Sequence, residues 1–207
     1  MKTKSLFAVI SFLIFSFLLG NIALAQPYKY NKDQNLYYEK DNPNKRYSGE
    51  YKVYFGGKKL KREEHFKNGH LIKKIQYFRN GIISYSYTST DTTKHQYDSK
   101  IYDRKGNIYR TDQYVFDTTH GYTSFYHKNG QVFSNIKYEY GNPIWEKHYR
   151  EDGSLEKELY FLNSEIEYGW QYYLDTTIIG VWDKKNEFFK KKKRSEVDFS
   201  KKQQCEN

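Results

Sequence analysis

Cysteine is nearly absent: one in 207 residues, Cys205 near the C-terminal end. An internal disulfide framework and a cysteine-built zinc site are therefore excluded. Proline is also scarce, at three residues. Aliphatic supply is thin. Leu, Ile, Val and Phe number 46, but 13 lie in the first 25 residues, leaving 33 in the other 182. That share is about 18 %, below the ~20 % at which a chain struggles to bury a core. A large α/β enzyme with a thick aliphatic interior does not fit. No Gly-x-Ser-x-Gly, phosphate-cradling loop or His-Glu-x-x-His occurs, and the cysteine has no neighbouring histidine. The compensating supply is aromatic, with 23 Tyr and three Trp, each able to bury a large apolar area.

The first 25 residues read as an address. Lys2 and Lys4 precede an apolar run from Leu6 to Leu19, followed by Gly20-Asn21 and the small-x-small site Ala23-Leu24-Ala25. This is the secretory signal pattern, and the run is short for a membrane span. Cleavage is expected after Ala25, and no cysteine follows to carry a lipid anchor. The expectation is an exported protein, periplasmic or secreted.

The body is periodic. Gly57, Gly81, Gly106, Gly130 and Gly153 are spaced by 24, 25, 24 and 23 residues. Gly49, Gly121 and Gly169 lie on the same lattice, whose empty points are Lys73, Tyr97 and Trp145. Within one position of five residues past each lattice point stand Tyr54, Phe78, Tyr102, Tyr126, Tyr149 and Tyr173. Each period divides into two halves that read Gly-x-aliphatic-x5-aromatic, as in Gly69-Leu71-Tyr77, Gly106-Ile108-Tyr114, Gly130-Val132-Tyr138 and Gly153-Leu155-Phe161. Gly141 keeps the spacing to Tyr149. Apolar residues alternate within the halves, placing Val132, Ser134, Ile136, Tyr138 and Tyr140 on one expected face, and Leu155, Lys157, Leu159 and Phe161 likewise.

Turn chemistry agrees. Asn68-Gly69, Asn80-Gly81, Asn129-Gly130 and Asp152-Gly153 are hairpin signals because these residues tolerate positive φ. Asp-Thr-Thr recurs at Asp91, Asp117 and Asp175, where Asp and Thr can bond their own backbone. The expected fold is all-β: an elongated antiparallel β-hairpin meander of ~24-residue repeats over residues 47–183, stabilised by neighbour contacts. Residues 26–46 form an N-terminal cap, and residues 184–207 a disordered basic tail.

Gly49-Glu50-Tyr51 leading to Tyr54-Phe55-Gly56-Gly57-x-x-Leu60 resembles a MORN-variant repeat. So does Gly121-Tyr122 leading to Phe125-Tyr126-x-x-Asn129-Gly130-x-Val132, and Gly169-Trp170-Gln171-Tyr172-Tyr173 resembles another copy's start. The resemblance covers nearly all of 47–183. It implies a short β-hairpin unit, no shared catalytic residues and, through the YwqK-family antitoxins, a protein that binds and neutralises another protein.

The ladder positions Tyr54, Tyr126, Tyr138 and Phe161 are expected to pack repeat on repeat. The remaining rings, Tyr85, Tyr87, Trp145, Tyr160 and Trp170, are the candidate binding anchors on an exposed face. The tail carries a net charge of +5, densest at Lys190, Lys191, Lys192, Lys193 and Arg194. Those five are the candidate contacts to an anionic membrane or polysaccharide. Nucleic acid has suitable electrostatics but the wrong compartment. The six histidines show no ligand spacing, the Asp-Thr-Thr turns need no calcium, and Glu63-Glu64 and Glu156-x-Glu158 sit among basic residues as salt-bridged strand faces. The expectation is therefore a non-catalytic scaffold without cofactor or metal that binds a protein. A glycan or cell-envelope binding module is the alternative.

Overall fold

The computed structural model describes residues 26–200. The signal-like segment, residues 1–25, and Cys205 lie outside the described residues. Two compact units divide between Tyr47 and Ser48. The first is a small hairpin of β1 (Tyr28–Asn31) and β2 (Leu36–Glu39), extended by a bridge from Tyr38 to Arg46. Its core is mostly aromatic. Tyr28 and Leu36 are buried, and the Tyr28 ring meets Tyr37 edge-on at 5.2 Å and Tyr47 at 5.4 Å.

The second unit is one antiparallel sheet of thirteen strands in sequence order. They are β3 (Gly49–Tyr54), β4 (Leu60–Lys67), β5 (His70–Tyr77), β6 (Ile83–Asp91), β7 (Gln96–Tyr102), β8 (Ile108–Val115), β9 (Thr118–Tyr126), β10 (Val132–Glu139), β11 (Asn142–Tyr149), β12 (Leu155–Leu162), β13 (Glu165–Tyr172), β14 (Ile178–Asp183) and β15 (Phe188–Lys193). Every strand pairs with its sequence neighbours, so the chain forms the elongated β-hairpin meander that the periodicity implies.

The repeat has a concrete structural unit. After β3, β5, β7, β9 and β11 the chain makes the same loop, closed by backbone bonds Phe55 N to Lys59 O, Phe78 N to Ile82 O, Asp103 N to Asn107 O, His127 N to Gln131 O and Arg150 N to Ser154 O, all between 2.8 and 2.9 Å. Each loop then sets a tyrosine opposite an aliphatic residue: Tyr54 with Leu60, Tyr77 with Ile83, Tyr102 with Ile108, Tyr126 with Val132, Tyr149 with Leu155. In the last four loops the aliphatic residue of the Gly-x-aliphatic signature is the far side of this cross-strand pair, and in the first it is Leu60, three residues after Gly57; the near side is the lattice tyrosine except at Tyr77, one residue before Phe78.

Immediately after each pair lies one unpaired residue: Lys61, Ser84, Tyr109, Phe133 or Glu156. An extra residue in one strand resets which face the following side chains occupy. Alternation read straight through the bulge therefore fails. Val132 stands opposite Tyr126 and Ser134 opposite Phe125, so these two lie on different faces. Leu155 and Lys157 separate in the same way, opposite Tyr149 and His148. The single expected ladder is really two: Tyr126 belongs to one face and Tyr138 to the other. Tyr54, on the edge strand β3, is 49 % exposed rather than packed, because no repeat precedes it in the sheet. Phe161 is half-buried on β12.

At the opposite strand ends the turns are tighter. Asn68-Gly69, Phe116-Asp117, Tyr140-Gly141 and Asn163-Ser164 each have two successive residues at positive φ, the two-residue hairpin that matches strand twist. Asn80, Asn129 and Asp152 do not adopt that conformation; only the following glycine does. Asp91 and Asp175 close matching turns, each accepting from the backbone N–H and hydroxyl of the Thr two residues on, at 2.8–2.9 Å and 2.6 Å. Asp117 departs, since it is itself the second residue of a two-residue turn.

The basic tail is a second correction. Phe188–Lys193 is a strand, in register with β14 from Asp183↔Phe188 to Ile178↔Lys193. Phe189 supplies the reason, packing edge-on against Trp182 at 5.3 Å. The four lysines then face solvent on an edge strand, where charge prevents pairing with another sheet. Beyond them a 3-10 turn, Arg194–Glu196, redirects the chain, and Val197 and Phe199 pack onto the cluster of Tyr160, Trp170 and Ile179.

Candidate functional site

Residues directly opposite one another in an antiparallel pair share a face. On face A, one row crosses the sheet through Glu64, Lys74, Tyr87, Ser99, Asp112, Thr123, Ile136 and Glu146. Beside it run Tyr85, Ile101, Arg110, Phe125, Ser134 and His148. The rings here stack. Tyr97 lies 4.6 Å from Tyr87 and 4.6 Å from Tyr114, the latter pair nearly parallel at 17°. Arg110 sits over Phe125 at 5.1 Å.

Beneath this aromatic field is a buried carboxylate. Asp112 is 2 % exposed and accepts from Arg110 Nε at 2.8 Å, Arg110 Nη2 at 2.6 Å, Thr123 Oγ1 at 2.8 Å and Ser99 Oγ at 3.5 Å. A buried charge is tolerated only when so paired, and the pairing also locks the guanidinium in place. Burial pushes the Tyr85, Tyr97, Tyr114 and Tyr138 hydroxyls up, so all four stay neutral well beyond physiological pH. At one flank, His148 Nε2 pairs with Glu146 Oε1, and this contact chiefly holds the Glu146 carboxyl below its usual range.

Face B carries the tyrosine–aliphatic pairs and a polar row of Lys100, Thr111, Ser124, Asn135, Lys147 and Glu158. Toward β14 the row is covered by the returning C-terminal segment. Glu158 is fully buried there and accepts hydrogen bonds from the Tyr160 and Tyr172 hydroxyls. Between β7 and β9 it is open and forms a shallow depression of about 300 Å³ lined by Asp98, Lys100, Thr111, Gln113, Tyr122 and Tyr126, with Ser99 and Asp112 reaching its floor.

The anchors expected from sequence divide into three groups. Tyr85 and Tyr87 come together on face A. Trp145 is half-buried on face B, 6.0 Å from Tyr122 and capped by Lys147 at 4.9 Å. Tyr160 and Trp170 are not exposed anchors at all, at 1 % and 3 % exposure under Val197 and Phe199. The lysine run does not form one patch. Lys190 and Lys192 stand opposite Val181 and Ile179, whereas Lys191 stands opposite Gly180 and caps Tyr173 at 5.0 Å. Arg194 lies over Tyr172 and Phe199 instead of reaching out.

Tyr97, Tyr114, Arg110 and Asp112 do not stand out as a unit in the sequence. One signal was present, since Tyr97 occupies a lattice point where three other repeats carry glycine. Among the described residues, no group of three or more His, Cys, Asp or Glu side chains is placed to hold a metal ion.

No family model and no curated protein matches the chain. Among solved structures it is similar to TarM, with 13 % identity and a TM-score of 0.29 over 56 % of this chain and 20 % of that one. A point mutant of S. aureus TarM in complex with fondaparinux, alpha-GlcNAc-glycerol and UDP is similar at 12 % identity with the same TM-score and coverage. The chain thus spans about a fifth of TarM's length, and a similarity of that size bears on neither fold nor function.

Proposed function

We propose that the protein is an exported, non-catalytic repeat scaffold that binds another protein through face A. The observation carrying this reading is the stack of Tyr87, Tyr97 and Tyr114, sharing face A with Tyr85 and with Phe125 under Arg110, whose guanidinium Asp112 holds in place. Tyr and Arg dominate the energetics of protein interfaces. Rings already fixed by stacking lose little conformational entropy on binding. The MORN-like resemblance points to the same class of partner and adds an antitoxin- or immunity-like role.

The test is a pull-down from native envelope and secreted fractions with the tagged chain from residue 26, alongside the Tyr85→Ala/Tyr87→Ala double variant. One protein enriched near equal stoichiometry, lost with the double variant and retained under polysaccharide competition, supports the reading. Enriched polysaccharide without protein, or capture indifferent to the double variant, rejects it.

A further inference from the structure

Face B holds a second, chemically different feature: the depression between β7 and β9. Its lining is polar but incompletely paired. Asp98 and Gln113 face each other across β7 and β8, and Lys100 faces Thr111 beside them. Among the described residues, neither Asp98 nor Lys100 has a side-chain hydrogen bond or ion pair. Thr111 Oγ1 and Tyr126 Oη lie 3.3 Å apart and retain further hydrogen-bonding capacity.

The wall at Tyr122 is built deliberately. Gln113 Oε1 accepts from the Tyr122 backbone N–H at 2.9 Å, which turns the Gln113 amide nitrogen loose as a donor. This arrangement requires glycine at 121. A Cβ there would stand 2.4 Å from Gln113 Oε1, and the backbone has φ +95°. Tyr122 itself is 44 % exposed, a large ring left open at the edge of a polar site.

We infer that this depression is a binding site for a neutral oligosaccharide. A volume of about 300 Å³ is at the small end of ligand sites, suited to one ring of a longer chain. Sugar hydroxyls both donate and accept, which matches a lining of one acceptor (Asp98), two donors (Lys100, the Gln113 amide) and two groups that do either (Thr111, Tyr126). The C–H face of a pyranose packs on an aromatic ring, and Tyr122 supplies one. Asp98 and Lys100 place one charge of each sign in the lining, so neither an anion nor a cation gains there without meeting a like charge, which favours an uncharged ligand. An apolar ligand would cover Asp98, Lys100 and the Gln113 amide without giving any of them a partner.

The site is separable from the protein-binding reading, because its free side chains lie on the other face; of the face A residues only Ser99 and the buried Asp112 reach its floor, and none of the face A rings lines it. The experiment is a ¹H–¹⁵N NMR titration of the chain with chitotriose, cellotriose and maltotriose, with trigalacturonic acid as the charged comparison. Saturable shifts are expected at Asp98, Lys100, Thr111, Gln113 and Tyr122 with at least one neutral trisaccharide. Tyr122→Ala and Asp98→Ala should each weaken that binding about tenfold, the equivalent of ~1.4 kcal/mol, at unchanged melting temperature. Tyr87→Ala on face A should leave it untouched. Three results would overturn the inference: no saturable shifts with any neutral sugar, binding that maps elsewhere, or equal binding of trigalacturonic acid. If Tyr122→Ala melts early, Asp98→Ala alone decides, since that side chain supports nothing in the fold.

Discussion

Truncation after Lys193 gives the sharpest test of how the C-terminal segment is used. A solvated basic tail would come off without cost. The structure instead places Val197 and Phe199 over Tyr160, Trp170 and Ile179, with Arg194 N–H donating to Thr177 O at 2.9 Å. Full truncation of a buried Phe costs ~3–5 kcal/mol, so a partly buried one contributes roughly 2 kcal/mol. Val197 adds about 1 kcal/mol, and the backbone bond about another 1 kcal/mol. A loss of ~3–4 kcal/mol in a domain of this size lowers Tm by roughly 6–15 °C. Trp170, now 3 % exposed, should become solvated and its fluorescence should shift red. Because repeat stability is largely nearest-neighbour, amide exchange should accelerate first in β12–β14 and leave β5–β8 protected. Lys192→Ala, on the exposed edge, is the control and should change stability by less than ~0.5 kcal/mol. A truncated chain that melts within about 2 °C of the full one, with unchanged tryptophan emission, would refute the packing described here.

Three further outcomes are expected. Tyr140→Asn should stabilise by ~0.5–1 kcal/mol in chemical denaturation, because Tyr140 holds φ +45° before Gly141 and asparagine tolerates that conformation, as at Asn68-Gly69. Gly169→Ala should destabilise by ~2–3 kcal/mol, since a Cβ there would sit 2.6 Å from Glu158 O, a backbone atom that cannot step aside. Glu146 is held below its unfolded pKa by His148, so its contribution is complete above the unfolded value and disappears as pH falls through the folded one. Thermal melts from about pH 5 down to pH 3 should therefore fall less steeply for Glu146→Gln than for the parent chain.

Much of the fold is legible in the sequence because its determinants are local. A loop that needs glycine at positive φ, a tyrosine before it and an aliphatic residue after it recurs every 23–25 residues, and each recurrence makes one hairpin of the sheet. The Asx turns at Asp91 and Asp175 follow from side chains bonding their own backbone two residues on. These are short-range interactions, and residue identity alone suffices to encode them.

Facing and burial are not local. A single extra residue at Lys61, Ser84, Tyr109, Phe133 or Glu156 moves the following side chains to the other face, and nothing in those residues' types announces it. Tyr160 and Trp170 look like any other aromatic pair until residues some thirty positions later return to cover them. The Asp112 network joins Ser99, Arg110 and Thr123 from three strands, which only register brings together. The repeat, its turns and the meander are encoded locally, through interactions within one hairpin. Which rings are core and which are surface emerges only in the folded sheet, because burial depends on what packs against a residue rather than on what it is.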